Sequence, residues 1–71
     1  MTLILNCMFG DGPQTYWIAS ATAAELQNVR NAMAGPAGDV VSIMARASEM
    51  GADHERLIRA GAIQCINIDR D

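Results

Sequence analysis

The chain contains no lysine, and this absence bears on the ligands it can take. All five strong bases are arginines, and with eight Asp and Glu residues the formal net charge is −3. A protein that coats nucleic acid needs a surplus of Lys and Arg, so the acidic balance disfavours direct nucleic-acid binding. An arginine still presents a planar fork of donors that suits a single carboxylate or phosphate group.

Long apolar runs are also absent. No stretch approaches the roughly 18 residues that a membrane-spanning helix needs. The start of the chain, MTLILNCMF, lacks the basic segment and the cleavage site of a secretory signal. We therefore expect a cytoplasmic protein that does not associate with membranes. Cys7 and Cys65 lie far apart and form no CxxC motif, which predicts two buried free thiols rather than a disulfide.

Catalytic and metal-binding patterns are scarce. His54 is the only histidine, and its neighbours Asp53 and Glu55 could orient a general base. No nucleophile motif such as G-x-S-x-G accompanies it, so we predict no enzymatic activity. The spacing of His54, Cys7 and Cys65 is not typical of a structural zinc site. The sequence thus predicts neither a metal nor a cofactor.

Apolar side chains, by contrast, are abundant. They make up 51% of the 71 residues, whereas charged residues make up 18%. A chain of this length buries only about 60% of the surface that its unfolded form exposes. Because a monomer cannot conceal that much apolar side chain, we predict a homo-oligomer.

The N-terminal part of the chain predicts a β-hairpin. Residues 2–9 alternate so that one face is wholly apolar, formed by Leu3, Leu5, Cys7 and Phe9. The segment Gly10-Asp11-Gly12-Pro13 is a strong turn signal, and a second strand is predicted over 14–19. On this sheet Ile4, Met8 and Trp17 are expected on the uncovered face.

One helix is predicted over 22–34. Thr22 and Glu25 have the spacing of a capping box, and Leu26 and Val29 begin an apolar stripe. Gly35 before Pro36 is typical of a helix end, with the glycine expected in the left-handed conformation.

The segment 40–60 is ambiguous. Val40, Val41 and Ile43 favour a strand over 40–47, although Asp39 could also cap a helix. Residues 53–59 suit a strand or a short helix, and 62–68 suit a strand. We therefore predict a single α+β domain over 1–71, with a small antiparallel sheet built from the N-terminal hairpin and two or three C-terminal strands and covered by one helix. The alternative is a ββααβ chain in which 40–60 is helical.

Six residues are candidates for a binding surface: Tyr16, Trp17, Arg46, His54, Arg56 and Arg59. The two adjacent aromatic residues must face opposite sides of a strand, and an exposed tryptophan is a common interface anchor. The three arginines can form an anion-binding patch with either aromatic ring if the strands bring them together.

These observations predict a small non-enzymatic binding or inhibitor protein. It would act as an oligomer, either by occluding a partner such as a host protein or by sequestering a small anionic, nucleotide-like ligand. Compact acidic domains without motifs are the kind of accessory protein that phages encode against host systems. The alternative is a structural or assembly subunit that packs through its open sheet face.

Overall fold

The computed structural model describes residues 1–70, which form five strands and one helix. The elements are β1 (Thr2–Phe9), β2 (Gly12–Ile18), α1 (Ala23–Ala34), β3 (Val40–Ala45), β4 (His54–Arg59) and β5 (Ile63–Asp69), with a 3₁₀ turn at Ala60–Ala62. The predicted α+β class is confirmed, with its N-terminal hairpin, single helix and C-terminal strands. The segment 40–60 contains two strands and not the alternative helices.

The strands form two antiparallel units that meet at one point. β1 lies between β2 and β5, and β3 pairs with β4. Within residues 1–70, one isolated bridge joins the two units. There the Trp17 N–H donates to the Arg46 carbonyl at 2.9 Å, and the Arg46 N–H donates to the Trp17 carbonyl at 3.0 Å. The bridge sets β2 beside the end of β3.

The core lies where both units and the helix meet. Alternation along β1 buries Leu3, Leu5 and Cys7. β2 and β5 add Ile18 and Ile63 to the buried cluster. The opposite unit and the helix add Val41, Ile43, Ala45, Ile58, Leu26 and Val29. Because strand residues alternate between faces, the even-numbered residues of β1 and β3 lie on the other side, away from this core.

The helix begins as predicted. The Thr22 hydroxyl accepts from the Glu25 N–H at 3.1 Å, and the Thr22 N–H donates to Glu25 Oε1 at 3.0 Å, which completes the capping box. Residues 1–70 contain no helix long and apolar enough to cross a bilayer.

The helix ends where predicted, at Ala34, but Gly35 does not take the expected conformation. Gly35 is extended, with φ −92° and ψ −168°, and its N–H donates to the Ala32 carbonyl at 3.2 Å. The left-handed conformation expected for Gly35 is therefore wrong. The ring of the following Pro36 crowds the preceding residue and drives it towards extended backbone.

The hairpin turn is shorter than expected. β2 already begins at Gly12, which has φ +123°, so that only Gly10 and Asp11 connect the strands. Pro13 lies in β2 opposite Met8. A proline is tolerated there because β2 is an edge strand over this stretch and needs no donor on its outer side.

Candidate functional site

The β3–β4 ribbon exposes large apolar side chains on the face that points away from the core. Val40 is 58% exposed, Met44 is 54% exposed and Leu57 is 70% exposed. The register sets Val40 opposite Arg59, Ser42 opposite Leu57 and Met44 opposite Glu55, which places all six on one face. We call these six residues the ribbon face. Because Val41, Ile43 and Ile58 fill the core from the opposite side, the apolar residues of the ribbon face are not needed to build the fold.

A cleft adjoins the ribbon face. It has a volume of about 570 Å³ and lies between β4, the end of β1 and the 3₁₀ turn. Its wall includes Met8, Phe9, Ala62, and also Leu57 and Arg59 from the ribbon face. Arg59 is the only charged residue among the described residues that line it. The cleft is therefore apolar, with one guanidinium group at its wall.

Two of the predicted site residues, Tyr16 and Arg56, are in contact. The Arg56 guanidinium carbon lies 5.2 Å from the centroid of the Tyr16 ring, a distance typical of a cation–π interaction. The Arg56 Nε–H also donates to the Ala45 carbonyl at 3.0 Å. Phe9 meets the Tyr16 ring edge-on, with centroids 6.4 Å apart. Arg56 is thus held on the face of β4 that carries Ile58, opposite to the face that carries Arg59.

Trp17 and Arg46 come together at the bridge between the two strand units. The Arg46 side chain then turns to its own loop, where Nη1 donates to the Glu49 carbonyl at 3.3 Å and Nε lies 3.4 Å from Asp53 Oδ1. Both members of the ion pair are partly solvated, so it contributes little to stability. His54 is exposed at the start of β4, opposite Ala45. The six predicted residues thus occupy several places and do not converge on one.

The outer face of the three-stranded unit carries the residues predicted for the open side. Ile4 lies opposite Trp17, and Met8 lies further along the same face. A polar row separates them, because the Thr15 hydroxyl donates to Asn6 Oδ1 at 3.3 Å and Asn6 Nδ2 donates to Cys65 Sγ at 3.3 Å. Ile4 and Trp17 are also half-buried, whereas the apolar residues of the ribbon face are each more than half exposed.

Of the ribbon face, only Arg59 was among the predicted site residues. The signal for the ribbon face was the alternation Val40, Ser42, Met44, which is complementary to the buried set Val41, Ile43 and Ala45.

The two free thiols lie on neighbouring strands but on opposite faces. Cys7 is buried and Cys65 is exposed, so the prediction that both are buried is wrong for Cys65. Cys65 lies opposite Asn6, whereas Cys7 lies opposite Ile63 after an irregularity in the register. Burial raises the pKa of the Cys7 thiol, and the neighbouring Cys65 raises it further.

This arrangement predicts unequal thiol reactivity. At pH 8 we expect Ellman's reagent to modify Cys65 quickly and Cys7 slowly, because the thiolate is the reactive form and Cys7 is both covered and harder to ionise. Cys65→Ser should remove the fast phase, and Cys7→Ser should retain it. Two fast phases in the folded wild type would contradict the assignment, and denaturant should expose both thiols.

Residues 1–70 contain no group of three His, Cys, Asp or Glu side chains placed to hold a metal ion. Comparisons with protein-family models, curated protein sequences and solved structures gave no match. Function is therefore inferred from the ribbon face and the cleft beside it.

Proposed function

We propose that this protein is a small non-enzymatic binding protein that covers an apolar surface of a protein partner with its ribbon face. The observation that carries the proposal is the exposure of Val40, Met44 and Leu57, each more than half accessible on one side of a ribbon. Contiguous exposed apolar patches on small soluble domains are typical of interaction sites. Methionine suits such a surface because its flexible, polarisable side chain adapts to the partner.

The cleft extends this surface and gives it a place for an anchor. An apolar side chain of the partner can enter between Phe9 and Leu57, where it would contact the apolar wall of the cleft. Anchors of this kind dominate the affinity of interfaces, while the surrounding contacts exclude water. Binding would occlude the partner's surface without any chemical step.

We favour a protein partner over a small anionic ligand. Arg59 lines the cleft, but Arg56 lies on the opposite face of β4 and already contacts Tyr16 and the Ala45 carbonyl. The two arginines therefore do not converge on one phosphate group. An exposed apolar ribbon face beside an apolar cleft is better matched to a protein surface.

The proposal is tested by affinity capture from an extract of the cells that express the protein. The test variant is Val40→Thr/Met44→Gln, which removes apolar area from the ribbon face and leaves the core side of β3 intact. Burying two such side chains is worth about 1.5–3 kcal/mol each, so we expect recovery of the partner to fall at least about tenfold.

The matched control is Met50→Gln, because Met50 is 97% exposed and lies outside the ribbon face. Wild type and Met50→Gln should recover the same partner in equal amounts. Equal recovery by Val40→Thr/Met44→Gln, with an unchanged circular dichroism spectrum, would overturn the proposal.

A further inference from the structure

β4 has one backbone edge without a strand partner in the part of the chain that the structure describes. It pairs with β3 alone, and the register continues to Asp39 and Ala60, where the Ala60 N–H donates to the Asp39 carbonyl at 2.7 Å. Hydrogen-bonded and non-hydrogen-bonded pairs alternate along an antiparallel ladder. The even-numbered residues of β4 therefore bond to β3. The N–H and C=O groups of Glu55, Leu57 and Arg59 point to the free edge.

The side chains of these three residues are self-complementary. All three are exposed and lie on the ribbon face, with a carboxylate two residues before Leu57 and a guanidinium two residues after it. When two copies of β4 run antiparallel with Leu57 opposite Leu57, each Glu55 lies opposite the Arg59 of the other copy. Opposite charges directly across a pair of strands stabilise the pairing.

Other registers fit less well. A shift by one residue sets outward-pointing backbone groups against groups that already bond to β3, so no ladder forms. A shift by two residues in either direction sets Leu57 opposite Glu55 or Arg59, so that the apolar contact between the two Leu57 side chains is lost. The backbone and the side chains thus select the same register.

We propose that a second copy of this chain pairs with β4 in antiparallel orientation, with Leu57 on the twofold axis. The pairing joins two β3–β4 ribbons into a four-stranded sheet and uses the same surface on both copies, so that it closes as a dimer and does not propagate. The role of the ribbon face in this inference rests on the proposed function, and the dimer would present two ribbon faces side by side. The pairing itself uses the edge of β4.

The charges support a second copy as the occupant of this edge. Among residues 1–70 the structure records one ion pair, Arg46 with Asp53, so neither Glu55 nor Arg59 is neutralised within the described chain. Their cross-strand neighbours on β3 are Met44 and Val40, which offer no charge. An exposed edge strand with free backbone groups readily pairs with another chain. A second copy supplies an opposite charge to Glu55 and to Arg59, and it supplies hydrogen-bond partners to the free backbone groups of β4.

Charge reversal tests the register. We expect wild type to have twice the 7.6 kDa chain mass in sedimentation equilibrium. Glu55→Arg alone and Arg59→Glu alone each set like charges opposite one another, and each should raise the dimer dissociation constant about tenfold or more. The double variant Glu55→Arg/Arg59→Glu should restore the dissociation constant of the wild-type dimer. Arg30→Glu makes the same charge change as Arg59→Glu, but on the exposed side of α1, and should leave the dimer intact.

Cross-linking tests the axis. In a Cys65→Ser background, Leu57→Cys should form an intermolecular disulfide under mild oxidation, since residues facing each other on adjacent strands lie about 5.5 Å apart at Cα, within disulfide reach. Ser42→Cys, on the same face but one strand away, should remain a monomer on a non-reducing gel.

The outcomes separate this inference from the proposed function. A monomeric wild type at high micromolar concentration, or a double charge swap that fails to restore the dimer, would overturn the inference. The two positions changed in Val40→Thr/Met44→Gln lie on β3, outside the paired edge of β4. This variant should therefore remain dimeric although it no longer binds the protein partner. Partner capture by a monomeric wild type would therefore leave the proposed function standing and the dimer refuted.

Discussion

Leu5→Ala is expected to lower the free energy of unfolding by about 2–5 kcal/mol, the usual cost of truncating a buried leucine. Leu5 is 0% exposed and lies on the central strand β1, opposite Tyr16 on one side and Ile66 on the other. Domains are stabilised by only about 0.05–0.15 kcal/mol per residue, so this loss is a large share of the total for so short a chain. Urea denaturation followed by far-ultraviolet circular dichroism measures the change.

Met44→Ala is the matched comparison, because it also truncates a large apolar side chain but one that is more than half exposed. We expect it to cost less than about 1 kcal/mol, since surface substitutions change stability little. If the two variants lost equal stability at the same protein concentration, the placement of the core between the strand units would be contradicted.

Gly61→Ala is expected to destabilise the protein by about 1–3 kcal/mol, the usual cost of forcing extra volume into a packed contact. The Gly61 N–H donates to the Ala37 carbonyl at 3.0 Å. A Cβ on Gly61 would lie 2.8 Å from the Ala37 Cβ and 3.1 Å from its carbonyl oxygen. The 3₁₀ turn would have to move away from the 36–38 loop. Thermal denaturation measures the loss.

Gly38→Ala is the control, because a Cβ there has no neighbour within 4 Å. It should leave stability unchanged or raise it slightly, since alanine restricts the unfolded chain more than glycine does. Adding Ala37→Gly to Gly61→Ala removes the closest contact and should recover part of the loss, which a double-mutant cycle measures. If Gly61→Ala behaved like Gly38→Ala, the close approach at Ala37 would be refuted.

Local signals explain which parts of the fold could be predicted. The capping box of Thr22 and Glu25 and the alternation along residues 2–9 depend on near neighbours, so the helix start and the hairpin can be read from the sequence. The predicted helix end agrees with the structure, and only the conformation of Gly35 differs. Its cause is also local: the effect of Pro36 on Gly35 outweighed the usual preference of a helix-closing glycine.

The features that could not be predicted depend on pairing between segments far apart in the sequence. The strand over Val40–Ala45 has helical as well as alternating spacing, and its pairing with His54–Arg59 decides between them. The exposure of Cys65 depends on the irregular register opposite Asn6 and Cys7, which no pattern in either strand reveals. The ribbon face can be identified only when it is known which side of β3 fills the core. Its apolar residues are visible in the sequence, but their shared exposure is a property of the folded chain.

The bridge between Trp17 and Arg46 bears on how the two strand units separate when the protein unfolds. Two backbone hydrogen bonds at this seam are the strand-to-strand link between the three-stranded unit and the ribbon in residues 1–70. Separation of the ribbon would therefore expose the shared core and break these two hydrogen bonds, but it would break no ladder of either sheet. The single indole of the chain lies at that bridge, so its fluorescence is placed to report a separation of the two units.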